Sequence, residues 1–540
     1  MNQFFWSKLT SGWSSFFLLP LIVAILSGCA SLPPGSDFSK TVSLALAHPE
    51  ETPLGRQFDS AAREHEGNSG FRLIQAGAAG FQLRMQMINA AKRTLDLQYF
   101  IFSGDETGRL LTDAVLHAAD RGVRVRVLVD DGETLAGDEQ LTVLDAHPSI
   151  ALRIFNPFAY RGHIEMFRAT EFAFNSGRLD YRMHNKLLVV DNAVALLGGR
   201  NIGDPYFQID PDSQVADDDI FAAGPIARKL SASFDEFWNS TLAIPAQALS
   251  GGKASHGALN EHRQVLDREK GQLKADGVAF VKGIASGEPF NGIISGSLPL
   301  IWAHARLICD SPYKKKVESG AMKGELMQPE VAAATSAVQS ELLMITPYLI
   351  PGDAGMHLFK DLRERNARVR ILTSSLESST VLPAQSGYMH YRVPMLEIGV
   401  QLYEIRALLG NIKGSGETEA ISRHGNYSLH AKLIVFDRKE LFIGSMNFDQ
   451  RSKHLNTEIG LLIDSPALAQ QIAARFDAMV APVNSYKLAL YPNDTGRAAS
   501  LVWHTQEDGK AVEYHSEPAR SEWQRVKVNI LSLMPLEKEL

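Results

Sequence analysis

Two histidines, His184 and His430, keep the same company at the same distances. His184 is followed by Lys186, Asp191, Gly198 and Asn201, and His430 by Lys432, Asp437, Gly444 and Asn447. Counted from each histidine the offsets are 2, 7, 14 and 17 in both copies, and the histidines stand 246 residues apart. A histidine near a lysine is ordinarily a surface or satisfied core residue, but the duplicated spacing outweighs that reading. A neutral imidazole is a competent nucleophile, and an imidazolium can protonate a departing alkoxide. Lysine supplies a positive charge suited to phosphate. The same lysine argues against a metal centre, because an ammonium repels a divalent cation and offers it no lone pair. The expectation is a site with no metal and no cofactor.

These residues need elements to hold them. The runs LLVVD and LIVFD, ending at Asp191 and Asp437, are apolar enough to be buried strands. Along a strand, residues two apart share a face and residues seven apart do not. His184 and Lys186 therefore point together into a site, as do His430 and Lys432, while Asp191 and Asp437 fall on the opposite face of an uninterrupted strand and are structural. The surrounding chain repeats with the same period. Residues 91–101 match 340–350, 124–129 match 368–373, and 153–155 match 401–403, all at offsets between 244 and 249. Two copies of a strand-helix-strand unit imply an α/β fold: two tandem α-β-α sandwich domains with mostly parallel mixed sheets.

The 540 residues are 45% apolar, enough for more than one sizeable core, and the composition excludes a disordered chain. A formal net charge of -7 argues against a nucleic-acid binder with a strongly basic surface. Two cysteines, Cys29 and Cys309, are too few for a disulfide framework or a cysteine zinc site, and Cys309 reads as a buried free thiol.

The paired motifs resemble the phospholipase D superfamily, whose signature is two copies of H-x-K-x4-D-x6-G-[SG]-x-N. The resemblance runs from about residue 60 to the end and is nearest the bacterial cardiolipin synthase branch. Softer cues for that branch are residues 198–207 (GGRNIGDPYF), residues 305–312 (ARLICDSP), and a terminus with Glu517, Pro518, Trp523 and residues 535–537. It implies a ping-pong phosphatidyl transfer in which one histidine forms a phosphohistidine and the other moves protons. The product is cardiolipin, with phosphatidylglycerol as acceptor and phosphatidylglycerol or phosphatidylethanolamine as donor. Hydrolysis to phosphatidic acid is the alternative, and a phosphodiesterase acting on nucleic acid ranks third. By the same resemblance Lys186, Lys432, Asn201 and Asn447 hold the non-bridging oxygens, with Ser445 assisting where the first copy has Gly199. An acidic residue downstream of each motif orients a histidine, of its own copy or of the other: Asp219 in the first and Glu458 in the second, with Asp217 and Asn456, two residues earlier, ranked lower. Asp218 reads as part of a solvated acidic run, Arg451 as a phosphate contact or a surface charge with equal weight, and Tyr99 and Tyr348 as core or pocket-wall residues.

At the N-terminus, Lys8 precedes an apolar run from Phe16 to Leu26, too short to span a bilayer comfortably, followed by Ser27, Gly28 and Cys29. This resembles a secretory signal ending in a lipoprotein lipobox, with Cys29 as the lipidated residue. The implied location is the bacterial cell envelope, facing the periplasm, with the outer membrane favoured because Ala30 lacks acidic character. The expected plan is a signal peptide over 1–28, a lipidated spacer over 29–59, a first domain over 60–250, a helical connection over 251–330, a second domain over 331–485 and an extension over 486–540.

Overall fold

A computed structural model gives the structure of the chain and describes residues 38–132, 141, 143–161, 165–209, 214–249, 254–270, 288–409, 427–491 and 500–534. Cys29, the leader over 1–28 and residues 535–540 lie outside these. The first half contributes β1 (Ser69–Ile74), β2 (Thr94–Tyr99), β3 (Arg124–Asp130), β4 (Ile150–Phe155), β5 (Leu187–Val190), β6 (Val194–Gly198), β7 (Gln214–Ala216), β8 (Asp219–Ala223) and β9 (Ala243–Pro245). A linking strand, β10 (Ile301–Cys309), precedes the second half: β11 (Glu341–Ile345), β12 (Arg368–Ser374), β13 (Gln401–Ile405), β14 (Tyr427–Leu429), β15 (Leu433–Phe436), β16 (Glu440–Gly444), β17 (Ile459–Asp464), β18 (Ser485–Tyr491), β19 (Ser500–Glu507) and β20 (Lys510–Tyr514).

Among the described residues, eighteen of these strands form one continuous sheet. Its spatial order is 9-4-3-2-5-6-8-1 through the first half, then 10-17-16-15-11-12-13-18-19-20. The mostly parallel sheet expected from the repeat is not what forms. Only β2–β3, β3–β4 and their counterparts β11–β12 and β12–β13 are parallel within the sheet. The reason is connection length. Parallel neighbours need a long crossover, and each of these pairs has one. β5 returns directly into β6 through a tight hairpin, as β15 does into β16.

The halves meet where β1 pairs with β10, Gly70 opposite Trp302. The region expected to be a helical connection therefore contains a strand that stitches the two sheets together. Two other boundaries also differ from the expected plan. The extension after residue 485 adds β18–β20 to the second sheet. The spacer docks from Lys40 onward, its Nζ bonding Ser240 O and Ala243 O, and continues into helix Pro53–Glu64.

Period-two alternation shares the motif strands between cores. Leu187 and Val189 enter a central core with Leu433, Val435, Phe237 and Phe476, drawn from both halves. Leu188 and Val190 enter the outer core of the first half, and Ile434 and Phe436 that of the second. With both faces covered, every residue of β5 and β15 is buried, which is why these strands read as unbroken apolar runs.

Candidate active site

The motif aspartates sit in turns, not on a strand face, because β5 and β15 end one residue before them. Asp191 and Asn192 both have positive φ (53° and 52°), as do Asp437 and Arg438 (51° and 55°), the backbone of a type I′ hairpin turn that Asp and Asn tolerate. Asp191 Oδ1 accepts the backbone N–H of Arg93 at 2.7 Å and of Thr94 at 2.9 Å, tying the hairpin to the start of β2. Asp437 does the same for Ser340 and Glu341 at the start of β11. Neither reaches the chemistry.

Each histidine rides on a segment paired with the opposite half. β14 pairs in parallel with β7, Leu429 opposite Ala216, and His430 N donates to Ala216 O at 2.8 Å. In the mirrored arrangement Met183 bridges Thr457, and His184 N donates to Thr457 O at 2.9 Å. Asp130, at the end of β3, fixes the approach by accepting Met183 N at 2.8 Å and Arg182 Nη1 at 3.1 Å. The residue after each partner is an acid, so a carboxylate from one half meets the histidine of the other. His184 Nδ1 lies 2.8 Å from Glu458 Oε2, and His430 Nδ1 lies 2.6 Å from Asp217 Oδ2. An ionised carboxylate only accepts, so Nδ1 carries the proton and Nε2 keeps its lone pair.

Asp219, expected to orient a histidine, does not do so. It is buried between Arg84 (2.7 Å) and Arg200 (3.1 Å), and its charge is consumed there. Asp217 takes the role. Asp219 and Glu458 are each followed by an isoleucine, but that likeness is two residues out of step with the helices that come next. Counting back eight residues from the prolines that open the following helices, Pro225 and Pro466, gives Asp217 and Glu458 instead. That shared helix start is the signal that finds the residue. Sheet pairing agrees, since Gly198 is opposite Asp219 where Gly444 is opposite Gly460.

The two carboxylates have different surroundings. Ser445 Oγ donates to Glu458 Oε2 and accepts Ile459 N at 3.0 Å, and Ser452 Oγ donates to Oε1 at 2.9 Å. The Ser445 proton is thus spent on Glu458, and the geometry makes Ser445 an orienting residue in place of the phosphate contact expected of it. In the first copy a Cβ on Gly199 would lie 2.1 Å from Asp217 Oδ1, so the shorter acid occupies the space a side chain would need. Behind Glu458, Asp310 Oδ2 accepts Glu458 N at 3.0 Å and is paired with Lys314 at 2.9 Å, a supporting contact the sequence did not reveal.

Lys186 Nζ donates to His184 O at 2.7 Å, and Lys432 Nζ to His430 O. Burial pushes Lys186 well below its ordinary value and Lys432 down to about 8. Burial, reinforced by the lysines, also holds both imidazoles neutral, His184 well below its usual range and His430 at about 3. Burial raises Glu458 to about 7. For Asp217 burial is outweighed by His430, Lys432 and Arg200, and the carboxyl stays below its usual range. Phe100 stands edge-on to His184 at 5.1 Å and Tyr206 edge-on to His430 at 5.3 Å, forming the walls. Asn201 donates from Nδ2 to the Tyr206 hydroxyl at 3.0 Å and accepts Ile101 N at 3.2 Å, whereas the buried Asn447 Oδ1 has no hydrogen-bond partner among the described residues.

Of the remaining candidates, Arg451 is committed to Asp180 at 2.6 Å. Asp218 is buried against Arg475 at 3.3 Å, not solvated. Tyr99 is a core residue bonded to Arg84, and Cys309 is a buried free thiol whose pKa burial raises to about 12. No group of three or more metal-ligating side chains occurs among the described residues, and none of their helices is long and apolar enough to cross a membrane.

Residues 85–238 and 331–480 match the family described as cardiolipin synthase, PLD-like domain. The chain is similar to cardiolipin synthase C of Escherichia coli (strain K12), with 34% identity over 487 residues covering 88% of this chain and 97% of that protein. It is also similar to the major cardiolipin synthase of Bacillus subtilis (strain 168), 24% identical over 406 residues, covering 75% and 67% respectively. Among solved structures, the phosphatidylserine synthase of Haemophilus influenzae Rd KW20 shares the fold, with a TM-score of 0.51 at 13% identity over 80% of this chain and 92% of that one.

Proposed function

Since the chain belongs to the phospholipase D superfamily, as a cardiolipin synthase-like enzyme with two PLD-like domains, we propose that it makes cardiolipin from two phospholipids through a phosphohistidine. Phosphatidylglycerol is the acceptor, and phosphatidylglycerol or phosphatidylethanolamine the donor. The observation that carries this reading is the crossed pair: two neutral imidazoles, each held at Nδ1 by a buried carboxylate of the other half, with two buried lysines beside them.

In the first step Nε2 of His184 attacks phosphorus, the bond to the headgroup alkoxide breaks, and His430 delivers a proton to that oxygen. A bound phosphodiester brings negative charge between the imidazoles and so raises the proton affinity of His430, whose imidazolium the ionised Asp217 stabilises. In the second step His430 takes the proton of the acceptor hydroxyl, the resulting oxygen attacks phosphorus, and the phosphorus–nitrogen bond breaks. Lys186, Lys432, Asn201 and Asn447 neutralise and orient the non-bridging oxygens. His184 is assigned the attack because its imidazole is the more deeply buried and Asp217, the partner of His430, is the acid that stays ionised.

Incubating the purified protein with phosphatidylglycerol, with and without phosphatidylethanolamine, and analysing the lipids by mass spectrometry tests the proposal. Cardiolipin is expected, phosphatidic acid alone would replace transfer by hydrolysis, and no lipid product would refute both. The proposal includes a lipid anchor at Cys29 in the periplasm-facing cell envelope, outer membrane favoured. Cys29→Ser should then abolish fatty-acid labelling and shift electrophoretic mobility, and an unchanged variant would refute the anchor.

A further inference from the structure

Helix Glu165–Leu179 ends five residues before His184 and is packed on one side only. Its inner side is fully engaged. Arg168 donates to Asp131 O at 2.6 Å and lies over the Phe158 ring, Glu171 accepts Ala159 N and Tyr160 N at 2.7 and 2.9 Å, and Arg178 donates to Asn156 Oδ1 at 2.8 Å. The helix is kinked at Asn175 (φ -126°, ψ 24°), and before the kink the outer arc, at helical spacing, carries Met166, Phe167, Thr170, Ala173 and Phe174, with no charge among them. Met166, Phe167 and Phe174 are 67%, 48% and 57% exposed. Large side chains of this kind on water mark an interaction surface.

Two further observations say what covers it. The first is charge. Exposed Lys315 reaches the end of the helix, its Nζ donating to Gly177 O at 3.1 Å, and exposed Lys316 follows, in a chain whose net charge is -7. Among the acidic neighbours, Asp180 is matched by Arg451 at 2.6 Å and Glu171 by Arg178 at 3.6 Å, while Glu318 lies 3.6 Å from His454. The second is the entry of the N-terminal chain. Lys40 is pinned to Ser240 O and Ala243 O. Asn156 links that place to the helix by donating N–H to Leu242 O at 2.8 Å and Nδ2 to Arg178 O at 2.9 Å. The described chain therefore enters near the C-terminal end of this helix. The eleven residues from Cys29 to Lys40 span at most about 40 Å.

We propose that this helix face docks on an anionic phospholipid surface, with Met166, Phe167 and Phe174 in the acyl boundary and Lys315 and Lys316 among the headgroups. Docking in this pose places the approach to His184 at the bilayer, which is where the proposed lipid substrates are held. That consequence rests on the phospholipid reading, whereas the docking itself does not.

The test uses the full chain with Phe174→Cys carrying a spin label, and Lys360→Cys on an exposed helix of the second half as control. Cys29 is replaced by serine in both variants, and the buried Cys309 thiol, raised to about 12, stays unlabelled. On vesicles of phosphatidylglycerol and phosphatidylethanolamine, the label at 174 should gain oxygen collisions and lose those with a water-soluble nickel chelate, while the label at 360 does not change. Lys315→Gln with Lys316→Gln should weaken partitioning onto these vesicles about thirtyfold at low salt. Phe167→Ser with Phe174→Ser should lower turnover of vesicle phosphatidylglycerol by about tenfold or more, with turnover of monomeric short-chain phosphatidylglycerol kept. A label at 174 that stays aqueous on anionic vesicles while lipid product forms overturns the docking face. Insertion at 174 with no product from either substrate form supports the docking face and overturns the phospholipid reading instead.

Discussion

Asp217 and Asp219 are two residues apart and both fully buried, yet their substitution by asparagine should fail in different ways. Asp217 and His430 are 0% and 14% exposed as side chains, so their 2.6 Å contact is little screened by solvent. Removing a carboxylate that fixes a catalytic imidazole costs about four decades in kcat in comparable dyads, or about 5.5 kcal/mol of transition-state stabilisation. The amide of Asp217→Asn keeps the volume and a hydrogen-bonding atom, so the fold should survive. Asp219→Asn instead leaves Arg84 and Arg200, each 1% exposed, facing a neutral group. Breaking a buried ion pair from one side costs about 3–5 kcal/mol. The pair is assayed by cardiolipin formation from phosphatidylglycerol at a temperature where both variants remain folded, beside thermal unfolding. Asp217→Asn should melt near wild type with almost no product. Asp219→Asn should melt lower, with kcat within about tenfold of wild type. Asp217→Asn turning over at wild-type rate, or Asp219→Asn losing four decades with unchanged melting, would refute the assignment.

The pH profile of kcat/KM should rise as Glu458 ionises near 7 and fall as Lys432 loses its proton near 8, with Lys432→Arg moving the alkaline limb upward. The same Glu458 is protonated in the fold at pH values where the unfolded chain, with its ordinary value of 4.5, has released the proton. Its contribution to stability therefore declines as pH rises from 4.5 towards 7, measurable as a lower melting temperature in wild type than in Glu458→Gln at pH 8. Gly199→Ala should displace the Asp217 carboxylate and cost about a hundredfold or more in kcat, whereas Ser445→Ala removes one charge-assisted bond to Glu458 and should cost about tenfold, both read in steady-state transfer assays. Rapid quenching with labelled phospholipid followed by peptide mapping should place phosphate on the His184 peptide. His430→Ala should still take up some label and His184→Ala none, and label on His430 in the unaltered protein would reverse the two roles.

The groups proposed to react were legible in the sequence because they are local. A histidine and a lysine two residues apart need only an extended segment to point the same way, and duplication at a constant offset separates such a pair from chance. The strands that follow were legible for a similar reason, since four consecutive apolar residues covered on both faces leave no polar position to disguise them. What depended on residues far apart in the chain was not legible. Sheet direction follows from which connections are hairpins and which are crossovers, and the repeat period carries neither. The role of β10 depends on pairing with β1 and β17 together, across about 150 residues or more on either side.

The acid partners show the boundary most clearly. That each half needs a carboxylate, and that it could act across the two halves, could be inferred from the motif and its family. Which of three consecutive aspartates faces His430 was decided by strand register, because Asp217 and Asp219 share a face and only the position of β8 against β6 separates them. That position puts Asp219 beside two arginines of its own half and leaves Asp217 at the seam, where β7 meets β14. Sequence alone therefore determined the chemistry available to this protein. The tertiary structure decided which groups carry it, because a site built across the interface of two halves exists only once both have folded together.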